Sequence, residues 1–195
     1  MHRKSILILA LILFCAAAPA ARADTLNLSG PAELCFTPGG DCTGMLVQAI
    51  GQAQKTIYVQ AYSFTSAPIA KALADAERRG VHVEAILDKS QQTARYSGAT
   101  YLAHAGIPVY IDNKHAIAHN KVMILDGSRV VTGSFNFTKA AQEKNAENLI
   151  IINDAGLAAR YMRNWQEHRG HSEPYVGPGG DAQNERRERA KPWRF

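Results

Sequence analysis

The sequence predicts an α/β fold, a mixed and largely parallel β-sheet sandwiched between helices. Two observations carry that expectation. Short β-branched and aromatic runs alternate with apolar stripes of helical period, and helices of about a dozen residues between strands imply crossovers over a parallel sheet. After Ala118, however, two strand-like runs follow each other across a tight turn, which makes the sheet mixed.

Taken in order, residues 44–54 place Met45, Leu46, Ala49, Ile50 and Ala53 on one helical stripe. "TIYVQAYSF" then reads as a strand. Ser66 is placed as an N-cap, Pro68 suits the first turn, and Gly80 closes a helix carrying Ile69, Ala70, Leu73, Ala74 and Ala76. "VHVEAILD" is a second buried strand, residues 101–105 a short helix stopped by Gly106, and "IPVYI" a third strand. The paired strands at 122–125 and 130–131 follow, then a strand over 147–152 and a helix over 155–168. Beyond Gly170 the chain becomes Gly-, Pro- and charge-rich without periodicity, which predicts a solvated tail over 171–195.

The first 23 residues read as a signal peptide. Arg3 and Lys4 precede an apolar run over 6–18, and Ala21-Arg22-Ala23 supplies an A-x-A cleavage pattern. The run is shorter than the roughly 18–20 residues that span a bilayer. The expectation is therefore a periplasmic or secreted protein without stable membrane association, its domain covering 24–170. Cys35 and Cys42 then enter an oxidising space, where a local disulfide is favoured. Two thiols with no nearby His make a poor metal site.

The net charge of +5 includes Arg3, Lys4 and Arg22, so the chain after Ala23 carries +2. Five basic residues against three acids beyond Gly177 account for that excess, among them Arg186, Arg187 and Arg189. The body is neutral, so a polyanion would need a local patch rather than the overall field.

The polarity of "AHNKVMILDGSRVVTGSFN" is what the fold does not explain. Unpaired charge inside a strand pair costs several kcal/mol. On a strand, His119 and Lys121 share a face, as do Ser134 and Asn136, and Gly133 permits close approach of a ligand. Ammonium, hydroxyl and carboxamide are donors suited to phosphate oxygens, and imidazole can act as nucleophile or acid/base. Each residue also has a plainer reading. Ser134 and Asn136 suit the turn into Thr138, and Asp126-Gly127 is a good tight-turn pair whatever its chemistry.

His119-x-Lys121, then Asp126 after four residues, then Gly133-Ser134-x-Asn136 after six, resembles the HKD signature of the phospholipase D superfamily. "FTKAAQEKNAEN", with Glu147 eleven residues after Asn136, and "AYSFTS" resemble its small bacterial endonuclease branch. The likeness spans about 36–168; the Cys35/Cys42 pair and the charged tail stand outside it.

The resemblance implies covalent catalysis by phosphohistidine, with His119 as nucleophile and Lys121, Ser134 and Asn136 holding phosphate oxygens. It implies that Glu147 orients His119, and that Asp126 supports the strand turn or pairs with a neighbouring donor. A second motif His must protonate the leaving group, and there is no internal repeat. His82, His104, His115, His168 and His171 lack the motif around them and read as structural or surface residues. The expected assembly is thus a homodimer with one composite site, without cofactor or metal. The expected substrate is nucleic acid, DNA or RNA, with Lys139 and Lys144 either touching backbone phosphates or lining a solvated helix face. The alternative is hydrolysis of phospholipid head groups.

Overall fold

A computed structural model describes residues 25–93 and 98–177. The signal peptide expected over 1–23 and the tail arginines Arg186, Arg187 and Arg189 lie outside these residues. Eight strands form one sheet in the order β1-β7-β6-β5-β2-β3-β4-β8. The chain runs β1 (Ala32–Thr37), α1 (Cys42–Gly51), β2 (Thr56–Ala61), α2 (Ala67–Arg78), β3 (His82–Asp88) and α3 (Gly98–His104). It continues with β4 (Val109–Asp112), β5 (Lys121–Leu125), β6 (Arg129–Gly133), α4 (Lys139–Glu143), β7 (Glu147–Asn153), α5 (Ala155–Arg169) and β8 (Glu173–Pro174).

The sheet is mixed, as expected, but mostly antiparallel. Only β2–β3 and β3–β4 run parallel. The other five pairings are antiparallel. A parallel pair needs a crossover, and among the described residues only α2 and α3 bridge such neighbours. From β5 onward the chain returns through a hairpin and short connections, and β1, which the sequence reading did not anticipate, adds to β7 at the edge.

Strand alternation divides the core into two faces. Ile57, Val59, Val83, Ala85, Leu87, Met123 and Leu125 pack with α1, α2 and α3. Ile86, Val122, Ile124 and Val130 point the other way, onto Ala158 and Trp165 of α5. The Trp165 indole N–H donates to the Val59 carbonyl at 2.9 Å, which satisfies the one polar atom of a ring only 4 % exposed. Cys35 and Cys42 form the expected disulfide, which ties β1 to the first turn of α1.

The domain extends past the boundary expected at Gly170. Glu173 and Pro174 pair with Ile111 and Tyr110, and the Tyr175 amide donates to the Val109 carbonyl. The edge of β4 carries unmet backbone groups, and the chain beyond α5 satisfies them. The absence of periodicity concealed this, since a strand of two residues has none.

Candidate active site

The parallel strands β2, β3 and β4 finish at one end of the sheet, where antiparallel β5 begins. His119 lies just before β5 rather than within it, and Lys121 is its first residue. Lys121 is buried, and its Nζ donates to the His119 carbonyl at 2.8 Å and stands 3.0 Å from His119 Nδ1. Burial pushes the Lys121 ammonium below its ordinary pKa, while the nearby Glu147 charge opposes that shift. Tyr62 stacks at a tilt against His119, with 4.6 Å between ring centroids, and lies 5.2 Å beneath the Lys121 ammonium. Sequence reading gave Tyr62 no role. "AYSFTS" drew attention to the segment without saying which residue would face the site.

The segment after β6 alternates in and out. Phe135 and Phe137 are wholly buried, and the Phe137 carbonyl accepts from the Thr65 and Ser66 amides. Those two anchors leave Ser134 and Asn136 on the opposite side, at the pocket. Gly133 has φ +141°, and a Cβ there would stand 2.3 Å from the Asn148 carbonyl oxygen. Only glycine fits. Thr138 then caps α4 by accepting from the Ala141 amide, so the turn following the motif is a short helix.

His119, Lys121, Gly133, Ser134, Asn136 and Glu147 together line an open cavity of about 410 Å³. Ser134 Oγ donates to Glu147 Oε2 at 2.6 Å, and Asn145 Nδ2 donates to Glu147 Oε1 at 2.9 Å. Glu147 is therefore engaged by Ser134 and Asn145, and no hydrogen bond joins it to His119 among the described residues. Asn136 Oδ1 is buried without a partner there.

Asp126 lies elsewhere. It adopts φ +53° in the β5–β6 turn, and its carboxylate accepts from the amides of Gln54, Lys55 and Thr56 at 2.7–3.2 Å. Burial opposes its ionisation, but those three donors, with Arg129 nearby, outweigh burial and hold its carboxyl below the usual range. Its place in the motif is that of a clamp between the hairpin and the start of β2. Lys139 also stands outside the cavity: it pairs with Glu143 at 3.5 Å and lines a neighbouring cleft of about 400 Å³. Lys144 caps the C-terminal end of α4.

A nucleophile-capable imidazole with ammonium, hydroxyl and carboxamide around one open cavity, on a mixed α/β sheet, defines a phosphoryl-transfer hydrolase. The family described as "Cardiolipin synthase, PLD-like domain" matches residues 46–169. The chain is 46% identical over 138 residues to "Phospholipase D" of Rickettsia felis, covering 71% of this chain and 69% of that protein. For the same-named protein of Rickettsia typhi the values are 47% over 131 residues, 67% and 64%. It thus spans about two thirds of these curated relatives. "Mitochondrial cardiolipin hydrolase" of Xenopus laevis is 34% identical over 128 residues, 64% of this chain and 60% of that one. Among solved structures, Nuc from Salmonella typhimurium, a phospholipase D family member, superposes with a TM-score of 0.73 at 39% identity. That match covers 75% of this chain and 99% of Nuc. NucT from Helicobacter pylori gives 0.71 at 25% identity, covering 75% and 100%. The chain belongs to the phospholipase D superfamily and is a phosphodiesterase of that family.

Proposed function

We propose that this protein is a periplasmic or secreted endonuclease that hydrolyses DNA or RNA without a catalytic metal, in a site completed by a second copy of itself. The observation that carries the substrate class is the lining of the cavity. All six residues around it are polar or glycine, and five of them carry groups that can hydrogen-bond a phosphodiester. Nuc and NucT are matched over essentially their whole length, so a chain of this size needs no additional domain to resemble them. The signal-like N-terminus and the Cys35–Cys42 disulfide support an oxidising compartment. Among the described residues no helix is long and apolar enough to cross a membrane.

In this reading His119 Nε2 attacks the diester phosphorus, a P–N bond forms, and the P–O bond to the leaving alcohol breaks. The departing oxygen takes a proton from the partner's His119. Water, deprotonated by that same imidazole, then attacks phosphorus, releases the phosphomonoester and restores both histidines. Lys121, Ser134 and Asn136 meet the charge that builds on the non-bridging oxygens. In its own chain His119 has Nδ1 facing Lys121 and no carboxylate, so a two-fold axis that exchanged Glu147 between protomers would supply the missing orienting group. Exposed Ile117, two residues before His119, and exposed Phe36, register partner of Asn148, flank the pocket with apolar surface suited to self-association.

The second reading is cleavage of phospholipid head groups. It is favoured by the name "Phospholipase D" on Rickettsia relatives at 46–48% identity. A digest containing excess chelator decides between them, offered single-stranded DNA, duplex DNA, RNA and phosphatidylcholine vesicles in parallel. Nucleic acid cleaved with vesicles intact is the expected result, and the converse transfers the protein to the lipid reading. Sedimentation of the active species as a dimer, with base-stable, acid-labile label trapped on His119, tests the mechanism. A fully active monomer overturns it.

A further inference from the structure

Three histidines that the sequence reading treated as structural or surface residues meet around one carboxylate. Asp112 ends β4 with its side chain wholly buried; His115 lies in the loop beyond; His168 is in the last turn of α5, and His171 two residues past its end. From Asp112 Oδ2, His168 Nδ1 is 2.7 Å away, His115 Nδ1 3.1 Å and His171 Nε2 3.4 Å. One ligand atom from each of the four residues lies within 4.8 Å of all the others. No other grouping of this kind occurs among the described residues.

Hydrogen bonding alone leaves this cluster incomplete. His115 Nδ1 is shared between the two carboxylate oxygens, 3.1 Å from Oδ2 and 3.2 Å from Oδ1, and His168 Nδ1 takes Oδ2 at 2.7 Å. Asp112 Oδ1 already accepts from the Lys114 amide at 3.1 Å. The nitrogen left over is His171 Nε2, which is buried and makes no hydrogen bond. Protonating all the rings would set cations side by side, since ring centroids are 4.9–5.3 Å apart. A divalent cation at the centre resolves both problems. Each neutral imidazole then directs a lone pair inward, and the carboxylate supplies negative charge.

We propose that Asp112, His115, His168 and His171 form a structural Zn²⁺ site, separate from the His119 pocket. Three imidazoles and one carboxylate suit zinc, and four protein ligands leave no position open for chemistry. Bonds of about 2.0–2.1 Å in a tetrahedron imply ligand separations of roughly 3.4 Å, so a pair at the 4.8 Å limit must close by about 1.4 Å. His115, on a loop and 43 % exposed, supplies that movement and the route of entry. The ligands arrive as two pairs close in sequence, Asp112-x-x-His115 and His168-x-x-His171.

The ion would fasten the end of α5, and β8 beyond it, to the tip of β4. It would also hold the segment that leads to the nucleophile. His115 is four residues before His119, its carbonyl accepts from Lys89 Nζ at 3.2 Å, and Asp88 Oδ2 accepts from the Ala118 amide at 2.7 Å. The site does not depend on which phosphodiester the enzyme cleaves.

The test uses untagged full-length protein, stripped with chelator, dialysed, and titrated with Zn²⁺ by calorimetry while Tm is followed. One Zn²⁺ per chain and a higher Tm are expected, and Co²⁺ in its place should give the visible absorption of a tetrahedral site. His168→Ala and His115→Ala should each weaken binding at least about tenfold. His104→Ala and His119→Asn should bind as the parent does. If His168→Ala fails to fold, His115→Ala, altered at the surface, carries the comparison. No saturable binding, or binding that His115→Ala leaves unchanged, overturns the proposal. An ion lost in His119→Asn belongs to the catalytic pocket and overturns it equally.

Discussion

Two regions at the same end of the sheet collect histidine, and they are assembled in opposite ways. The pocket takes His119, Lys121, Ser134, Asn136 and Glu147 from one contiguous stretch, β5 to β7, in which strand alternation sets the facing of each side chain. The Asp112 cluster joins residues 56 positions apart through the docking of α5 on the sheet. The pocket is chemically varied, so each group has a separate task. The cluster repeats one donor type around one acceptor, which suits holding rather than reacting. What differs is how the histidine is presented: on an open cavity wall in one case, turned inward on a buried carboxylate in the other.

The sharpest way to break that division is to remove the nucleophile. His119→Asn should lower turnover by about 10⁴-fold or more, as loss of a covalent-catalysis residue does, with Tm almost unchanged. Steady-state kinetics beside a melting curve checks it. A comparable loss of turnover with unchanged Tm in His168→Asn would erase the contrast.

Trp165→Ala should separate α5 from the pocket. It deletes a buried ring and its bond to the Val59 carbonyl, costing about 3–5 kcal/mol of stability in denaturant titration. Turnover per folded molecule should persist below the transition. Gly133→Ala should do both kinds of damage, because its Cβ meets the Asn148 carbonyl in a region of φ that other residues avoid. A loss of about 2–4 kcal/mol is expected, with turnover reduced as Ser134 shifts.

Asp126→Asn sharpens the status of the third motif position. Its folded-state carboxyl is held low, so its stabilising contribution is present above the unfolded pKa and disappears as pH falls through the folded value. The variant should lose about 1–3 kcal/mol at neutral pH and show less acid sensitivity than the parent. Parallel acid titrations of both proteins measure that. Lys139→Ala should matter least. An exposed i,i+4 pair with Glu143 contributes about 0.3–0.5 kcal/mol, and any effect on activity should appear as a changed salt dependence of nucleic-acid binding.

Most helices and strands were legible because their apolar residues keep period. The helix expected to run from Ser66 to Gly80 occupies Ala67–Arg78, and the strand expected over 81–88 occupies His82–Asp88. β1 and β8 were not, because an edge strand gains its structure from the neighbour it pairs with. The pocket was legible for a different reason. Its residues sit at fixed offsets along two strands of a hairpin and the turn beyond, so spacing in sequence is spacing in space. Tyr62 was hidden because its contact with His119 depends on the register of β2 against β5.

What the amino-acid sequence settled alone is local: the alternation that sets Ser134 and Asn136 on one face, which the structure shows to be opposite buried Phe135 and Phe137, and the Asp-Gly turn that ends β5. Tertiary structure decided how far the sheet is antiparallel, where the Glu147 carboxylate binds, and that Asp112, His115, His168 and His171 meet. Period and spacing report on residues that are near one another along the chain. Packing of α5 across the sheet joins residues whose separation in sequence carries no such information.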